Sequence, residues 1–370
     1  MQRIALTALV AGMGLGASAA SVAEPLTWTN EGGKVTFKGA LKLSVNHDEC
    51  ESGCLGPWRS TDPGEALRND DSDTYWTSNF STIELRGNQQ IQPGLDAIFR
   101  TEWKVNLHDS DQDRFTAFEQ WAGLKGGWGQ VKAGRIMTPY MTTGNKMNPF
   151  RRMALDTRFF TDINSALHHG IGLGHGRSDD TIRYDSPKFL GNLKAQAFAA
   201  GTEDTAFGGG LVYSEKNLYG FAQYYDNGES GDDAAYKIGG RYQLGNTTIQ
   251  GQYEWDAGLI SLAEGISSLP KSERIAAKKD DIEVGGNEYT GADVWYVGVS
   301  QQVTSRIMVM GQYGERDANE FDDGHQGFMV GGMYRFQKGL SGYAGYQHKE
   351  FEGDTWDDDR RMTVGVNYLF

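Results

Sequence analysis

Charged side chains occupy one face of several strand-like segments in this chain. In the segment 97–105, the apolar residues Phe99 and Trp103 fall on one face, while Arg100 and Glu102 fall on the other. Burying unpaired charges is costly, so the charged face must meet water. Fixed charges on a wet wall act on ions and polar solutes through their electric field, without making or breaking bonds.

Residues that could make or break bonds do not form a recognisable pattern. Ser, His and carboxylate residues are present, but none has the spacing of a nucleophilic triad. His168, His169 and His175 fall within eight residues of one another, yet three histidines in a long loop more often meet solvent than a metal ion. The glycine-rich run 170–176 lacks the helix that a dinucleotide-binding loop must open. The sequence therefore predicts no catalytic residue, no metal and no cofactor.

Two cysteines, Cys50 and Cys54, are the only ones in the chain. In an oxidising compartment such a close pair predicts a disulfide that closes a small loop. A metal site would need further ligands nearby.

The first 23 residues have the features of a cleaved export signal. Arg3 supplies the positive start, residues 4–16 form an apolar centre, and residues 21–23 form a small-residue cleavage site. Removal of this signal takes away one positive and no negative charge, so the formal net charge of -14 becomes -15 for residues 24–370. This acidic balance argues against a nucleic-acid partner, because phosphate binding needs a basic face.

The composition favours a closed antiparallel sheet. After the signal, no segment has the roughly 18 consecutive apolar residues of a transmembrane helix, and the mean hydropathy is -0.54. The chain contains 50 Gly, 17 Tyr, 17 Phe and 9 Trp, but only 8 Pro. Transmembrane β-barrels place apolar residues at alternate positions, so low hydropathy does not exclude them.

Segments with apolar residues at every second position predict sixteen strands. Short turns such as 245–246 and 338–339 alternate with longer, acidic connections such as 47–74 and 257–290. Short turns at one rim and long loops at the other are typical of outer-membrane barrels. The sequence thus predicts an all-β protein, a 16-stranded antiparallel transmembrane β-barrel, with strands near 35–45, 75–90, 97–105, 116–125, 129–137, 181–187, 192–201, 206–215, 218–227, 234–244, 247–256, 291–302, 306–316, 325–337, 340–350 and 359–370.

The alternation disappears for about forty residues, from 138 to 178. A long segment of this kind inside a compact β protein usually has a function. We predict that it folds into the barrel lumen and narrows it, so that the barrel is a pore. Residues 359–370 are predicted to form the last strand, which ends in the aromatic residues Tyr368 and Phe370. This ending resembles the C-terminal assembly signal of Gram-negative outer-membrane proteins.

Several short motifs extend that resemblance to the whole mature chain. These are 121–126 (WAGLKG), 129–135 (GQVKAGR) and 183–187 (RYDSP), which flank the long interruption. With them the chain resembles the general trimeric Gram-negative porins. The resemblance implies a water-filled channel in the outer membrane for passive diffusion of ions and small hydrophilic solutes. It further implies short periplasmic turns, longer extracellular loops, a homotrimer, contact with lipid and lipopolysaccharide, and insertion by the outer-membrane assembly machinery.

The same resemblance implies that acidic groups on the long loop, which is loop three of the barrel, oppose a basic ladder on the wall. This loop departs from some relatives because it holds three arginines and lacks an acidic Pro-Glu-Phe tip. Basic groups outnumber acidic ones, which predicts a weak preference for anions, although the acidic outer loops act in the opposite direction. Strand alternation predicts that the wall candidates face the lumen; they are Lys42, Arg100, Lys132, Arg177, Arg183 and Glu102. The loop candidates are Arg151, Arg152, Asp156, Arg158 and Asp162.

Three other classes of barrel remain as alternatives. An outer-membrane lipase or protease would need a serine beside a histidine and a carboxylate. A sugar-selective channel would show a run of aromatic residues along the lumen. A structural or adhesive barrel would have a lumen plugged by apolar or paired side chains. Absence of conductance across a bilayer, together with esterase or protease turnover, would favour the enzyme.

Overall fold

The computed structural model describes residues 25–50, 73–107, 115–151, 153–155, 177–201, 206–226, 234–256, 292–318, 325–351 and 359–370. Within these ranges, no helix has both the length and the apolar character needed to cross a membrane. The predicted export signal, residues 1–23, lies outside the described residues.

Eighteen β-segments and one short helix make up the described chain. They are β1 (Leu26–Asn30), β2 (Gly33–Cys50), β3 (Asp73–Ser78), β4 (Ser81–Gln92), β5 (Leu95–Val105), β6 (Phe115–Gly126), β7 (Gly129–Met137), α1 (Pro139–Gly144), β8 (Arg177–Asp185), β9 (Leu193–Ala200), β10 (Ala206–Ser214), β11 (Leu218–Asp226), β12 (Ala234–Leu244), β13 (Thr247–Asp256), β14 (Ala292–Gln302), β15 (Ile307–Ala318), β16 (His325–Gln337), β17 (Leu340–Phe351) and β18 (Asp359–Leu369).

These segments form sixteen barrel strands. β3 and β4 both pair with β2 and are consecutive parts of one strand, interrupted at Phe80, whose φ is 55°. β18 pairs with residues 40–50 of β2, and β1 pairs with residues 33–37 of the same strand. β1 therefore extends β18 along β2, and the two together count as one barrel strand. Every neighbouring pair is antiparallel, and the pairing of β18 with β2 closes the sheet. The predicted 16-stranded antiparallel barrel is confirmed.

The strands alternate apolar side chains outward with polar side chains inward. On β13, Ile249 is 47% exposed and Trp255 is 37% exposed, whereas Gln250 and Glu254 are 5% and 0% exposed. Side chains of a strand point to opposite faces in turn, so one face can meet lipid while the other faces the lumen. This inside-out distribution identifies the outer surface as the apolar one.

Short turns join the strands at one rim of the barrel. Gly94, Gly245 and Gly339 lie in these turns with φ values of 82°, 60° and 83°. Glycine adopts positive φ without the steric penalty of a Cβ atom, so these residues allow the chain to reverse within two or three residues. The longer connections between strands include chain segments that lie outside the described residues.

The described part of the interruption lies inside the barrel. Thr138 caps helix α1, with its Oγ1 accepting a hydrogen bond from the Met141 amide at 3.2 Å, and Pro139 occupies the first turn. From there the chain is described as far as Leu155, apart from residue 152. We call residues 138–151 and 153–155 the inner segment, because their apolar side chains pack against inward-facing side chains of the wall.

Candidate functional site: the lumen and its inner segment

The inner segment begins on an aromatic surface of β9 to β12. Tyr140 is 1% exposed and packs with Phe198 and Tyr225, its ring lying 5.8 Å from that of Tyr225. Lys237 of β12 is fully buried, and its Nζ donates a hydrogen bond to the Tyr140 carbonyl at 2.7 Å. The same ammonium lies 4.0 Å from the buried carboxylate of Glu254. A buried lysine with these partners ties the start of the segment to the wall.

Further along, the segment crosses the lumen face of β10 to β17. Met147 packs with Tyr219, Phe221 and other residues of β10, β11 and β14. Phe150, Met153 and Leu155 pack with Met310, Met329 and Tyr343. The amide of Ala154 donates a hydrogen bond to the Tyr343 hydroxyl at 3.1 Å. The inner segment is therefore held at both ends by polar bonds and between them by apolar packing.

Arg183, a predicted wall residue, connects the wall to the inner segment. Its Nη1 donates to the Met137 carbonyl at 2.7 Å and to Thr142 Oγ1 at 3.1 Å. Its other nitrogens bind Asp185, with Nη2 at 2.7 Å from Oδ1. Lys132 shares the same carboxylate, with Nζ at 2.8 Å from Oδ2. These two basic residues act with one acidic residue that the sequence analysis did not select.

Arg100 lies in a compact group of carboxylates. Its guanidinium contacts Glu84 at 2.8 Å, Glu102 at 2.8 Å and Glu119. The three glutamates lie side by side on β4, β5 and β6 and are each less than 10% exposed. Like charges directly opposite one another repel, so Arg100 is the counter-charge that allows them to coexist. Lys38 also contacts Glu84, at 3.2 Å.

Two cavities open along this charged part of the wall. The first, of about 460 Å³, is lined by Lys42, Arg100 and Glu102 together with Arg151 of the inner segment. Predicted wall and loop residues are therefore brought together here. The second cavity, of about 650 Å³, is lined by further basic side chains, those of Lys34, Lys38, Arg86, Arg100 and Lys125.

Lys146 is the centre of a second basic group. It is exposed to the lumen, and its Nζ lies 4.4 Å from the centre of the Tyr219 ring. Arg241 approaches the same ring at 5.9 Å. Partial desolvation lowers the pKa of Lys146, and so does repulsion from Arg241, Arg151, Arg183 and Lys194.

Some of the predicted site residues cannot be placed. Arg152, Asp156, Arg158, Asp162 and Cys54 lie outside the described residues, as do the three loop histidines. The backbones of Cys50 and Arg177 end β2 and begin β8, but their side chains lie outside the description.

The C-terminal aromatics lie on the outer face. The ring of Tyr368 is 5.7 Å from that of Phe370, and Phe370 pairs its backbone with Gly39.

Several residues of the site were missed by the sequence analysis. Glu84, Glu119 and Asp185 fall on the lumen side by the same alternation that selected Arg100 and Arg183, so this signal could have found them. No sequence pattern indicated that Lys146 and Arg241 would lie close together. Their proximity depends on the path of the inner segment, which has no period to follow.

Comparison with known proteins agrees with this geometry. The chitoporin of Vibrio furnissii is 26% identical over 339 residues, which cover 81% of this chain and 86% of that protein. The anion-selective porin from Comamonas acidovorans has a similar fold, with a TM-score of 0.67 and 17% identity over 91% of this chain and all of the other.

A trimer form of the Vibrio cholerae outer-membrane protein OmpT also has this fold. It gives a TM-score of 0.61 with 14% identity, over 91% of this chain and 99% of the other. The family model of the Gram-negative porins matches residues 5–354. The chain therefore belongs to the Gram-negative porin family and is a channel of the outer membrane.

Proposed function

We propose that this channel passes small hydrophilic solutes by diffusion and prefers anions to cations. The observation that carries the proposal is the unequal neutralisation of charge around the lumen. Within the described part of the chain, Lys146, Lys194 and Arg241 have no carboxylate at ion-pair distance, whereas Arg100 contacts three glutamates.

Local charges dominate the choice of ion in a narrow lumen. Salt screens exposed charges beyond about 8–10 Å at physiological ionic strength, so acidic groups on distant loops have less effect on an ion in the bore than groups beside it. Lys132 and Arg183 together exceed their shared partner Asp185 by one positive charge. At the second cavity, Lys34 and Lys125 act in the same direction, whereas Lys38, Arg86 and Arg100 contact Glu84.

In this proposal the inner segment forms one side of the constriction. Arg151 and Lys146 would face the passing solute, opposite Lys42 and Arg100 on the wall. Arg152, Asp156, Arg158, Asp162 and Arg177 are candidates for the rest of the constriction.

The proposal extends to how the protein reaches the membrane and assembles there. Residues 1–23 would be removed on export, leaving residues 24–370 as one barrel domain. Tyr368 and Phe370 would serve as the assembly signal, and Cys50 and Cys54 would form a loop disulfide. The long loops would be extracellular and close to lipopolysaccharide. A homotrimer is supported by the trimer form of the similar protein OmpT, and conductance steps in groups of three in planar bilayers would test it.

The reversal potential in a salt gradient tests the anion preference. In a salt gradient, the current through the wild-type channel is expected to reverse at a potential whose sign shows that anions are more permeant than cations. The triple variant Lys146→Gln, Lys194→Gln, Arg241→Gln should move that potential toward the cation side. As a control, Lys188→Gln removes a positive charge from the connection between β8 and β9, where the lysine Nζ donates a hydrogen bond to Asn192 Oδ1 at 2.9 Å. A wild-type reversal potential on the cation side would refute the proposal.

A further inference from the structure

Glycines on the lumen face of the wall lie directly under the inner segment. Gly298 of β14 and Gly331 of β16 lie on the lumen face, since their neighbours Val297 and Val330 are exposed on the outer face. Gly345 of β17 lies on the lumen face too, because it is two residues from the buried Tyr343 on the same strand. A Cβ atom added at each position would meet a side chain of the inner segment. The wall therefore has no side chain at three positions where the inner segment packs against it.

The fit at these positions is close. A Cβ at Gly298 would lie 3.2 Å from Cγ of Pro149, and one at Gly331 would lie 3.1 Å from Cε1 of Phe150. At Gly345 the added atom would lie 2.3 Å from Cδ1 of Leu155. Contacts shorter than about 3.5 Å between carbon atoms are repulsive. At Gly331 and Gly345 the added atom would also meet wall carbonyl oxygens, those of Ala344 at 3.0 Å and Val330 at 2.9 Å. At Gly298 the short contact is with the inner segment alone, so a larger side chain there would push the segment off the wall and into the lumen.

Polar bonds fix the segment on either side of these glycines. Lys237 binds the carbonyl of Tyr140 near the start, and Tyr343 binds the amide of Ala154 near the end. Phe150 is fully buried between these two bonds, and Leu155 is fully buried directly after the second. The segment thus has no room to move toward the wall and loses packing if it moves away.

We propose that Gly298, Gly331 and Gly345 form a seat for the inner segment, and that this seat determines the width of the bore. The three glycines would then determine which solutes can pass, because they set the distance between the inner segment and the charged wall opposite. The inference rests on the proposed function only in treating the inner segment as one side of the constriction. It is independent of the preference for anions.

A compensating pair of substitutions tests the seat. At Gly298 the added Cβ meets the Pro149 ring, and the next atom, the Gly311 carbonyl oxygen, is at an ordinary 3.5 Å. Gly298→Val should reduce single-channel conductance by half or more. Adding Pro149→Ala to this variant should restore most of the conductance, because it removes the ring atoms that collide. The matched control is Gly311→Val on the adjacent strand. The valine side chain would point outward, and its Cβ would lie 3.8 Å from the nearest atom, the Met329 carbonyl oxygen, so conductance should stay near the wild-type value.

A crosslink gives a second measurement that does not depend on tolerance of a bulky side chain. In the variant Pro149→Cys, Gly298→Cys, the two thiols should form a disulfide on mild oxidation, with conductance near the wild-type value. Mass spectrometry of peptides distinguishes this bond from one between Cys50 and Cys54. Wild-type conductance of Gly298→Val, or failure of the folded double-cysteine variant to crosslink, would overturn the seat.

The two proposals can fail separately. Gly298→Val changes no charge, so it should alter conductance while the sign of the reversal potential is kept. The triple variant at Lys146, Lys194 and Arg241 could leave the reversal potential unchanged while the compensating pair behaves as expected. That result would support the seat and contradict the proposed origin of the anion preference.

Discussion

The two arcs of the inner wall differ in chemistry although their strands share one alternation. The arc from β18 through β2 to β8 carries paired charges, such as Arg361 with Asp48 at 2.6 Å and Arg100 with its glutamates. The arc from β9 to β17, which we call the apolar arc, has fewer ion pairs and carries clusters of aromatic and methionine side chains among its polar ones, such as Tyr219, Tyr296 and Met329. The charged arc lines the cavities, and the apolar arc lies under the inner segment.

This difference shows that a barrel lumen can contain both a water channel and a small hydrophobic core. Each large apolar side chain that is buried against the wall contributes about 1.5–3 kcal/mol. Met147, Phe150 and Leu155 are fully buried in this way. The aromatic and methionine clusters of the apolar arc thus hold the inner segment in place. The charged arc, together with Lys146, Lys194 and Arg241, is left to face the solute.

Replacing the central cation of the charged arc should have the largest effect. Arg100→Ala leaves Glu84, Glu102 and Glu119 adjacent and without their shared counter-charge. Removing one partner from a largely buried ion pair costs about 3 kcal/mol or more, so the midpoint of urea unfolding should fall. The reversal potential should also move toward cations, because the lumen loses one positive charge.

Arg306→Ala is a matched control for this substitution. Arg306 lies at a short turn, where its side chain contacts the Tyr334 hydroxyl at 3.4 Å, far from the glutamates in the barrel. An Arg100→Ala protein with wild-type stability and reversal potential would show that the charged arc is not an interdependent network.

A smaller effect is expected from the apolar arc. Tyr343→Phe keeps the ring but removes the oxygen that accepts hydrogen bonds from the Ala154 amide and from Asn79 Nδ2, the latter at 2.9 Å. Each buried donor left without an acceptor costs about 1–3 kcal/mol. The end of the inner segment should loosen, which should appear as added noise in the open-channel current.

The corresponding control lies on the same strand. Tyr346 faces outward and packs against Phe328 with ring centres 6.0 Å apart. Tyr346→Phe should leave the open-channel noise unchanged. Equal noise in the wild-type protein and the Tyr343→Phe variant would mean that apolar packing alone holds the segment.

The smallest expected effect is a pH dependence at the boundary of the two arcs. The pKa of Lys146 is lowered by partial desolvation and by neighbouring positive charges. As pH rises, Lys146 should therefore lose its proton at a lower pH than an ordinary lysine, whose pKa is about 10.4. The lumen becomes less positive, so the preference for anions should decrease as pH rises through this range.

Comparison of wild-type protein with Lys146→Met isolates this step. The reversal potential of both proteins would be followed from neutral to alkaline pH, and the difference between them should disappear once Lys146 is neutral. A difference that persists unchanged to the pH at which ordinary lysines titrate would contradict the lowered pKa.

Much of the barrel follows from the sequence because the side chains of a strand alternate strictly. The positions of Ile249 and Gln250 on opposite faces, the number of strands and the lumen side of Arg100 and Arg183 all come from a period of two residues. The seat could not be predicted in this way. Gly298 and Gly331 fall on the lumen face of their strands, but a glycine gives no indication of which segment packs on it.

The sequence by itself determined which residues face lipid and which face water, because that choice depends on local alternation and on the cost of placing charge in hydrocarbon. Only the tertiary structure decided which charges are neutralised and where the inner segment lies. Arg100 meets Glu119 of the neighbouring strand, and Leu155 meets Gly345, which lies 190 residues further along the chain. Such contacts depend on the register of the strands and the closure of the sheet, which bring together residues that no local pattern connects.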